Sequence, residues 1–244
     1  MPADPLFRTD AYLKSCTATV TQAEPGGIRL DRTIFYPTGG GQPGDTGIMR
    51  WQGNEARIAD TRKYRTEGEP EDILHILAEG SPIPEPGTEV ETTLDWARRY
   101  AHMRMHSCMH LLSALLRDAA VTGGQVGAEK SRLDFDMPSG QVDKDALTAE
   151  LNRLIAEDHM LAQRWITDEE LEAQPELVRT MSVKPPMGHG RVRLIAIGDN
   201  IDLQPCGGTH IARTGEIGAV EVAKIENKGK QNRRVTVVFR APAA

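Results

Sequence analysis

Met105-His106-Ser107-Cys108-Met109-His110-Leu111-Leu112 and Gln204-Pro205-Cys206-Gly207-Gly208-Thr209-His210 are two short runs about a hundred residues apart, and each holds two potential metal ligands four positions apart. Residues 97–120 around the first run contain neither Gly nor Pro, and Leu111, Leu112, Leu115 and Leu116 continue an apolar stripe, so this stretch is predicted to be one long helix. A spacing of four on a helix puts two imidazoles on one face, one turn apart. In the second run Pro205 and the paired glycines exclude a helix and predict a tight loop at a strand end.

Two imidazoles from a rigid helix with a thiolate and an imidazole from a turn form a nitrogen and sulfur set that suits tetrahedral zinc. His102 leaves the register open, because His102, His106 and His110 share one helical face and either adjacent pair could ligate. Cys108, two positions beyond His106, points to the other side and is expected to be a small core residue.

Outward from this pair the chain alternates helices and strands. Residues 121–127, with Gly123, Gly124 and Gly127, are expected to end the histidine helix, and Lys130 to Asp136 alternates as a strand. Asp143 to Leu161 carries Leu147, Leu151, Leu154, Ile155 and Met160 near helical spacing. Arg164 to Thr167 reads as a short strand, and Thr167-Asp168-Glu169-Glu170 as a capping box opening a brief helix before Pro175. Further strands are expected at Arg191 to Ile197, Ile201 to Leu203, Ala219 to Ile225 and Arg233 to Phe239, which implies helices packed on an antiparallel sheet. His159 is expected at the surface or as a cap.

The first part of the chain differs. Short apolar pieces (Cys16 to Thr21, Ile28 to Asp31, Thr33 to Tyr36) separated by Glu24-Pro25-Gly26-Gly27 predict close-set antiparallel strands in a small barrel. Gly39, Gly41 and Gly44 match the dinucleotide fingerprint in form, but that fingerprint requires a helix to follow. Pro43 lies inside it and Gly47 to Gly53 reads as a strand, so a tight glycine corner is expected instead. After the turn signal Glu67-Gly68-Glu69-Pro70, His75 lies among Leu74, Ile76 and Leu77 in a predicted strand, as a satisfied or surface histidine. Pro82, Pro84 and Pro86 suit neither a helix nor a central strand, which puts the domain boundary between Pro86 and Asp95. The expected class is α+β: a β-rich barrel-like domain over residues 1–90, then a metal-binding domain over 91–244.

Composition sets the bounds. With 244 residues, 39% apolar, 5% aromatic and 26% charged, the chain can bury one large core or two modest ones, and it has no apolar run long enough to span a membrane. No secretory signal is visible at Met1 to Arg8, and three widely spaced cysteines make no disulfide framework, so a reducing, cytoplasmic setting is expected. Net charge is -6, yet Lys224, Lys228, Lys230, Arg233, Arg234 and Arg240 face only Glu226 within residues 224–240, and Arg98, Arg99 and Arg104 head the histidine helix. Most such runs are solvated faces. Their alternative is phosphate contact.

The pattern His-x-x-x-His-Leu-Leu followed by Pro-Cys-Gly-Gly-Thr-His and Thr214-Gly215-Glu216-Ile217-Gly218 resembles the editing domain of alanyl-tRNA synthetase and its free-standing relatives, the AlaX alanyl-tRNA editing proteins. The resemblance runs from about Asp95 to Phe239 and selects His106 and His110, with Cys206 and His210, as ligands of one zinc ion per chain. It implies ATP-independent hydrolysis of the ester joining serine or glycine to the terminal ribose of an alanine tRNA. Gly39-Gly40-Gly41-Gln42-Pro43-Gly44-Asp45-Thr46-Gly47 matches the family's Gly-Gly-Gly-Gln-Pro-x-Asp-x-Gly, carried near its editing cleft, which marks Gly39, Gly40, Gly41, Gln42, Asp45 and, beside the ligands, Thr209 as substrate-binding. Gln125 falls where the family has a glutamine that addresses the substrate, and is the expected catalytic residue. Handling of tRNA would give Arg98, Arg99, Lys228, Lys230, Arg233 and Arg234 phosphates to meet.

Cys108 and Met109 depart from the small or hydroxyl-bearing residues usual between the family's two histidines, which leaves serine versus glycine open. Four protein ligands mark a structural zinc, whereas catalysis needs a free position. The alternative function is therefore a non-catalytic tRNA-binding or partner-binding module. No ATP-binding or activation segment is identified, so the chain is not expected to charge tRNA, and monomer and dimer are both compatible with the sequence.

Overall fold

A computed structural model describes residues 2–24, 26–65, 67–68, 70–137, 142–180 and 190–240. Pro25 and Glu69, each part of a predicted turn, lie outside the described residues. The chain divides into two units, Met1–Tyr100 and Ala101–Ala244.

The first unit carries β1 (Asp4–Pro5), β2 (Ser15–Glu24), β3 (Gly27–Leu30), β4 (Arg32–Thr33), β5 (Gly47–Trp51), β6 (Asn54–Tyr64), β7 (Asp72–Leu77) and β8 (Glu89–Leu94). Six of these close a barrel in the order β2-β3-β7-β6-β5-β8, the small barrel expected from the close-set alternation. Ala18 and Val20, Ile28 and Leu30, Ala56 and Ile58 point inward at alternate positions, with Phe35, Met49 and Val90, and fill the interior. The register shifts at Val20/Gln22 and Ile58/Asp60, where the two longest strands must bend to close the ring. The expected strand Thr33 to Tyr36 is only the short β4, paired in parallel with β1; Ile34, Phe35 and Tyr36 are buried outside any strand. Position 90, the expected domain limit, falls inside β8, which pairs with both β2 and β5, so the unit runs past it.

The second unit follows from within α1 (Trp96–Leu115), with β9 (Ala120–Gln125), β10 (Lys130–Asp136), α2 (Lys144–Ala156), β11 (Leu161–Ile166), α3 (Asp168–Glu172), β12 (Val192–Ile197), β13 (Asp202–Pro205), β14 (Val220–Asn227) and β15 (Asn232–Phe239). The chain is α+β, with sheets ordered β14-β15-β10-β9 and β11-β12-β13. Asp95 accepts from Arg98 N at 3.2 Å and starts α1, which ends at Leu115 rather than at Ala120. Of residues 121–127, expected to end the helix, 121–125 belong to β9, where Gly123 and Gly124 pair with Asp134 and Leu133 of β10 and a Cβ at Gly124 would lie 2.9 Å from Leu133 Cδ2. Helix α2 covers the open edge of β14, where Asn152 both donates to Val220 O and accepts from Val220 N while Thr148 accepts from Val222 N. The capping box at Thr167 and Glu170 is present as expected. No helix among the described residues is long and apolar enough to cross a membrane.

Candidate metal centre

Helix α1 presents His106 and His110 one turn apart, and the turn after β13 presents Cys206 and His210; the four donor atoms all lie within 4.8 Å of one another. Cys206 Sγ is 3.5 Å from His106 Nε2 and 3.3 Å from His210 Nε2. A tetrahedral zinc with ordinary bond lengths sets its donors about 3.3–3.6 Å apart, so the donor set fits it in chemistry and the two contacts of Cys206 fit it in spacing, while the whole set spans up to 4.8 Å. His102 stays outside the group and Cys108 is fully buried, with burial pushing its thiol up to about 12.

The ring orientations are set by neighbours that sequence reasoning missed. Asp202 Oδ2 accepts from His110 Nδ1 at 2.8 Å, which turns Nε2 toward the other ligands. The same oxygen accepts from Gln204 Nε2 at 2.7 Å, and Arg179 Nη1 stands 3.3 Å from the second carboxylate oxygen, near enough for charge pairing. Ser107 Oγ lies 3.1 Å from His210 Nδ1, so that with Nε2 ligating, Nδ1–H donates to the hydroxyl. Arg193, buried in β12, donates to Cys206 O at 3.0 Å and Gly208 O at 2.7 Å and holds the turn from below. The alternation of β12 and β13, which points Arg193, Asp202 and Gln204 to one face, was the one local signal available.

The electrostatics favour a ligating state. Burial by itself raises the Cys206 thiol, but the imidazoles packed around it, through electrostatic attraction and hydrogen bonds, bring it well below its ordinary value, toward thiolate. Burial lowers His210 well below the usual imidazole range despite Cys206 beside it, so it is neutral. Burial also opposes charge on His110, yet the Asp202 and Cys206 partners override it and raise this imidazole to about 10. The centre thus keeps a thiolate matched by a proton that a divalent ion would displace.

The other sequence-predicted residues fall elsewhere. Thr209 is fully buried within the ligand turn. Gln125 lies on the polar face of the four-stranded sheet, where it accepts from Arg132 Nε at 3.3 Å. Gly39, Gly40, Gly41 and Gln42 make a tight turn in the barrel unit, with paired hydrogen bonds between Gly39 and Gln42 and positive φ at Gly40 and Gly41, the expected glycine corner. Gln42 is buried, and Asp45 accepts from Tyr36 N at 2.6 Å and from Arg99 Nε at 3.0 Å. Arg99 was expected to meet phosphate; it is instead 1% exposed, and also donates to Ala11 O and Ile34 O. Arg98 likewise turns back to donate to Gly44 O at 2.6 Å. Arg234 is engaged bidentately by Asp134 at 2.7 and 2.8 Å, and Arg233 donates to Asn232 O. Lys228 pairs loosely with Glu226 at 3.6 Å, and both Lys228 and Lys230 are exposed at the tip of the β14–β15 hairpin. His75 is the satisfied kind, fully buried, and His159 pairs with Glu157 at 2.8 Å near the surface.

Comparison with known proteins meets this geometry from two sides. The family described as "Threonyl and Alanyl tRNA synthetase second additional domain" matches residues 192–236, and that described as "tRNA synthetases class II (A)" matches residues 10–98. The alanyl-tRNA editing protein AlaX-M of Methanosarcina mazei is 35% identical, with 94% of each chain covered. AlaX-M of Saccharolobus solfataricus is also 35% identical, over 94% of this chain and 96% of its own. The alanine–tRNA ligase of Pyrobaculum neutrophilum is 35% identical over 91% of this chain, which corresponds to 25% of the ligase. With 35% identity to such relatives over nearly the whole chain, and with a histidine and cysteine cluster able to hold a metal in its second unit, the chain belongs to the AlaX family of alanyl-tRNA editing proteins.

Proposed function

We propose that this protein is a trans-acting aminoacyl-tRNA deacylase that hydrolyses the ester of serine or glycine mistakenly attached to alanine tRNA, at a zinc centre and without ATP. The observation that carries this reading is the convergence of His106, His110, Cys206 and His210 from a helix and a distant turn. These four residues would hold the ion, which when bound supplies positive charge to polarise an ester carbonyl or to orient a substrate amine. Asp202 and Ser107 fix the imidazoles, and Arg193 fixes the turn that carries Cys206 and Thr209. An aminoacyl ester is already activated, so orientation plus modest electrostatic help suffices for its hydrolysis.

The remaining assignments rest on the family pattern. Gly39, Gly40 and Gly41 offer exposed or half-buried backbone to a substrate, while Gln42 and Asp45 support that corner from within. Lys228 and Lys230, at an exposed hairpin tip, are suited to tRNA phosphates. No step is assigned to Gln125, whose amide is engaged by Arg132. A protein acting on tRNA belongs in the cytoplasm.

A second reading has one observation in its favour: four mutually close protein donors form a closed set, the mark of a structural zinc in a non-catalytic tRNA-binding or partner-binding module. Incubation of the zinc-loaded protein with seryl-tRNA specific for alanine separates the two. Deacylation that disappears in His106→Ala supports the enzyme. A rate no higher than buffer alone, with zinc present, supports the module.

A further inference from the structure

The geometry points to Trp165 as the platform on which the nucleobase of the terminal tRNA nucleotide stacks while its aminoacyl ester sits at the metal centre. This extends the deacylase reading and rests on it.

The chain has three tryptophans. Trp51 is buried in the barrel, and Trp96 stacks on Tyr100 at 5.4 Å with Lys14 over its ring. Trp165 differs: it is 47% exposed, and among the described residues it makes no ring-stacking or cation–π contact. A single exposed apolar residue is ordinary. What separates Trp165 from an ordinary one is the face it occupies.

Strand register fixes that face. Trp165 is directly opposite Arg193, and Gln163 opposite Ile195, while Ile195 is in turn opposite Gln204 and Ile197 opposite Asp202. Directly opposed residues share a side of an antiparallel sheet. Trp165 therefore lies on the side that carries Arg193, Gln204 and Asp202, the groups that brace the ligand turn and His110. The neighbouring side chains agree: Gln163 Oε1 accepts from Arg193 Nε at 3.0 Å, and the next residue, Ile166, packs to the other side with Leu171, Val192 and Leu194.

The spacing suits the substrate. Cys206 N donates to Arg193 O at 3.1 Å, so Trp165, Arg193 and Cys206 stand in line across one end of the sheet. Two inter-strand steps put the Trp165 backbone about 10 Å from that of Cys206. In an aminoacyl-nucleotide one ribose separates the ester from the base, so a base held at Trp165 leaves the ester directed back over Arg193 toward the ligands. An indole at the open edge of a sheet receives a purine by its face, without hydrogen-bond readout, as single-stranded ends are commonly held.

Steady-state kinetics of the zinc-loaded full chain on seryl-tRNA specific for alanine test this, with Trp165→Ala and Trp165→Phe beside the unmodified protein. Loss of one base stack raises KM about tenfold or more in Trp165→Ala, with kcat within about threefold, and Trp165→Phe recovers most of the loss. In a parallel titration with uncharged alanine tRNA, the unmodified protein shows quenching of indole fluorescence that Trp165→Phe lacks. A KM within about twofold of the unmodified value in Trp165→Ala, or a fall in kcat accompanied by loss of zinc, overturns the assignment. If the unmodified protein deacylates nothing, the enzyme reading has failed, and the fluorescence titration still decides whether the indole meets the tRNA end.

Discussion

Asp202 lies 2.8 Å from His110 across 92 residues of sequence, with both groups buried, so the carboxylate determines which ring nitrogen His110 can offer to a metal. Asp202→Asn keeps the shape but removes the charge and can present an N–H where an acceptor is needed. Outer partners of this kind carry about 10–100-fold in metal affinity. Competition for zinc between the protein and a chromophoric chelator is expected to show a loss of that size in Asp202→Asn, and an unchanged affinity would remove Asp202 from the design.

Arg99 makes the opposite point, that a basic residue in a basic cluster can be wholly structural. Its guanidinium serves Asp45, Ala11 O and Ile34 O at 1% exposure. Removing one partner of a buried ion pair leaves the other charge unpaired, at about 3–5 kcal/mol. Arg99→Ala is expected to lower the urea midpoint accordingly, and Arg99→Lys to recover little, since one ammonium cannot reproduce the fork. Stability close to the unmodified protein would return Arg99 to the surface role first expected of it.

The exposed cations at the hairpin tip should behave differently. Lys228→Ala with Lys230→Ala is expected to change stability by less than about 0.5 kcal/mol, while the salt dependence of tRNA binding flattens by nearly one unit of slope for each phosphate no longer neutralised. Filter binding at several salt concentrations measures this, and parallel slopes would show that the tip meets no phosphate.

What the sequence made legible was local. A four-residue repeat without breakers puts His102, His106 and His110 on one face, from which only the family pattern selects the last two, and a proline with two glycines exposes the turn at Cys206, because helix periodicity and backbone restriction act over a few residues. The braces were not legible in the same way. Ser107, Asp202, Gln204 and Arg193 acquire their roles through cross-strand register and through pairings such as the 103-residue span from Ser107 to His210. The same limit explains β9, whose glycines read as a helix end until their pairing with Asp134 and Leu133 of β10 is known. It also explains Arg98 and Arg99, whose charge is visible in sequence but whose partners in the glycine corner are not.

Gly44 occupies a variable position of the family's glycine pattern, yet its surroundings admit no side chain. A Cβ there would fall 2.0 Å from Thr61 O, which is backbone and cannot turn aside. Gly44→Ala must therefore push β6 away from the corner, at the upper end of the about 1–3 kcal/mol typical of overpacking. Gly40→Ala, with open space around it, meets only the strain of a φ of +55° and should cost less. Denaturant unfolding of the two variants ranks them, and equal midpoints would contradict the close approach.

His75 gives the barrel a dependence on pH that does not involve the metal centre. Its Nδ1–H donates to Ile28 O at 3.2 Å, which leaves Nε2 to accept from the Thr33 hydroxyl at 2.8 Å, so the folded ring is neutral on both counts. Burial, only partly offset by the Ile28 carbonyl and Asp72, lowers its pKa from 6.5 to about 4. Between those values the unfolded chain binds a proton that the folded chain refuses, so stability rises with pH. The contribution is complete above about pH 6.5 and is lost as pH falls toward 4, at about 1.4 kcal/mol per unit. His75→Gln abolishes the linkage whatever its own effect on stability. Between pH 7 and pH 5 the unmodified protein is expected to lose about 2 kcal/mol more than His75→Gln in denaturant unfolding at matched zinc. Carboxylates and metal ligands titrate alike in both proteins, so the difference isolates the one buried ring, and parallel stability curves would mean that it is not neutral and enclosed.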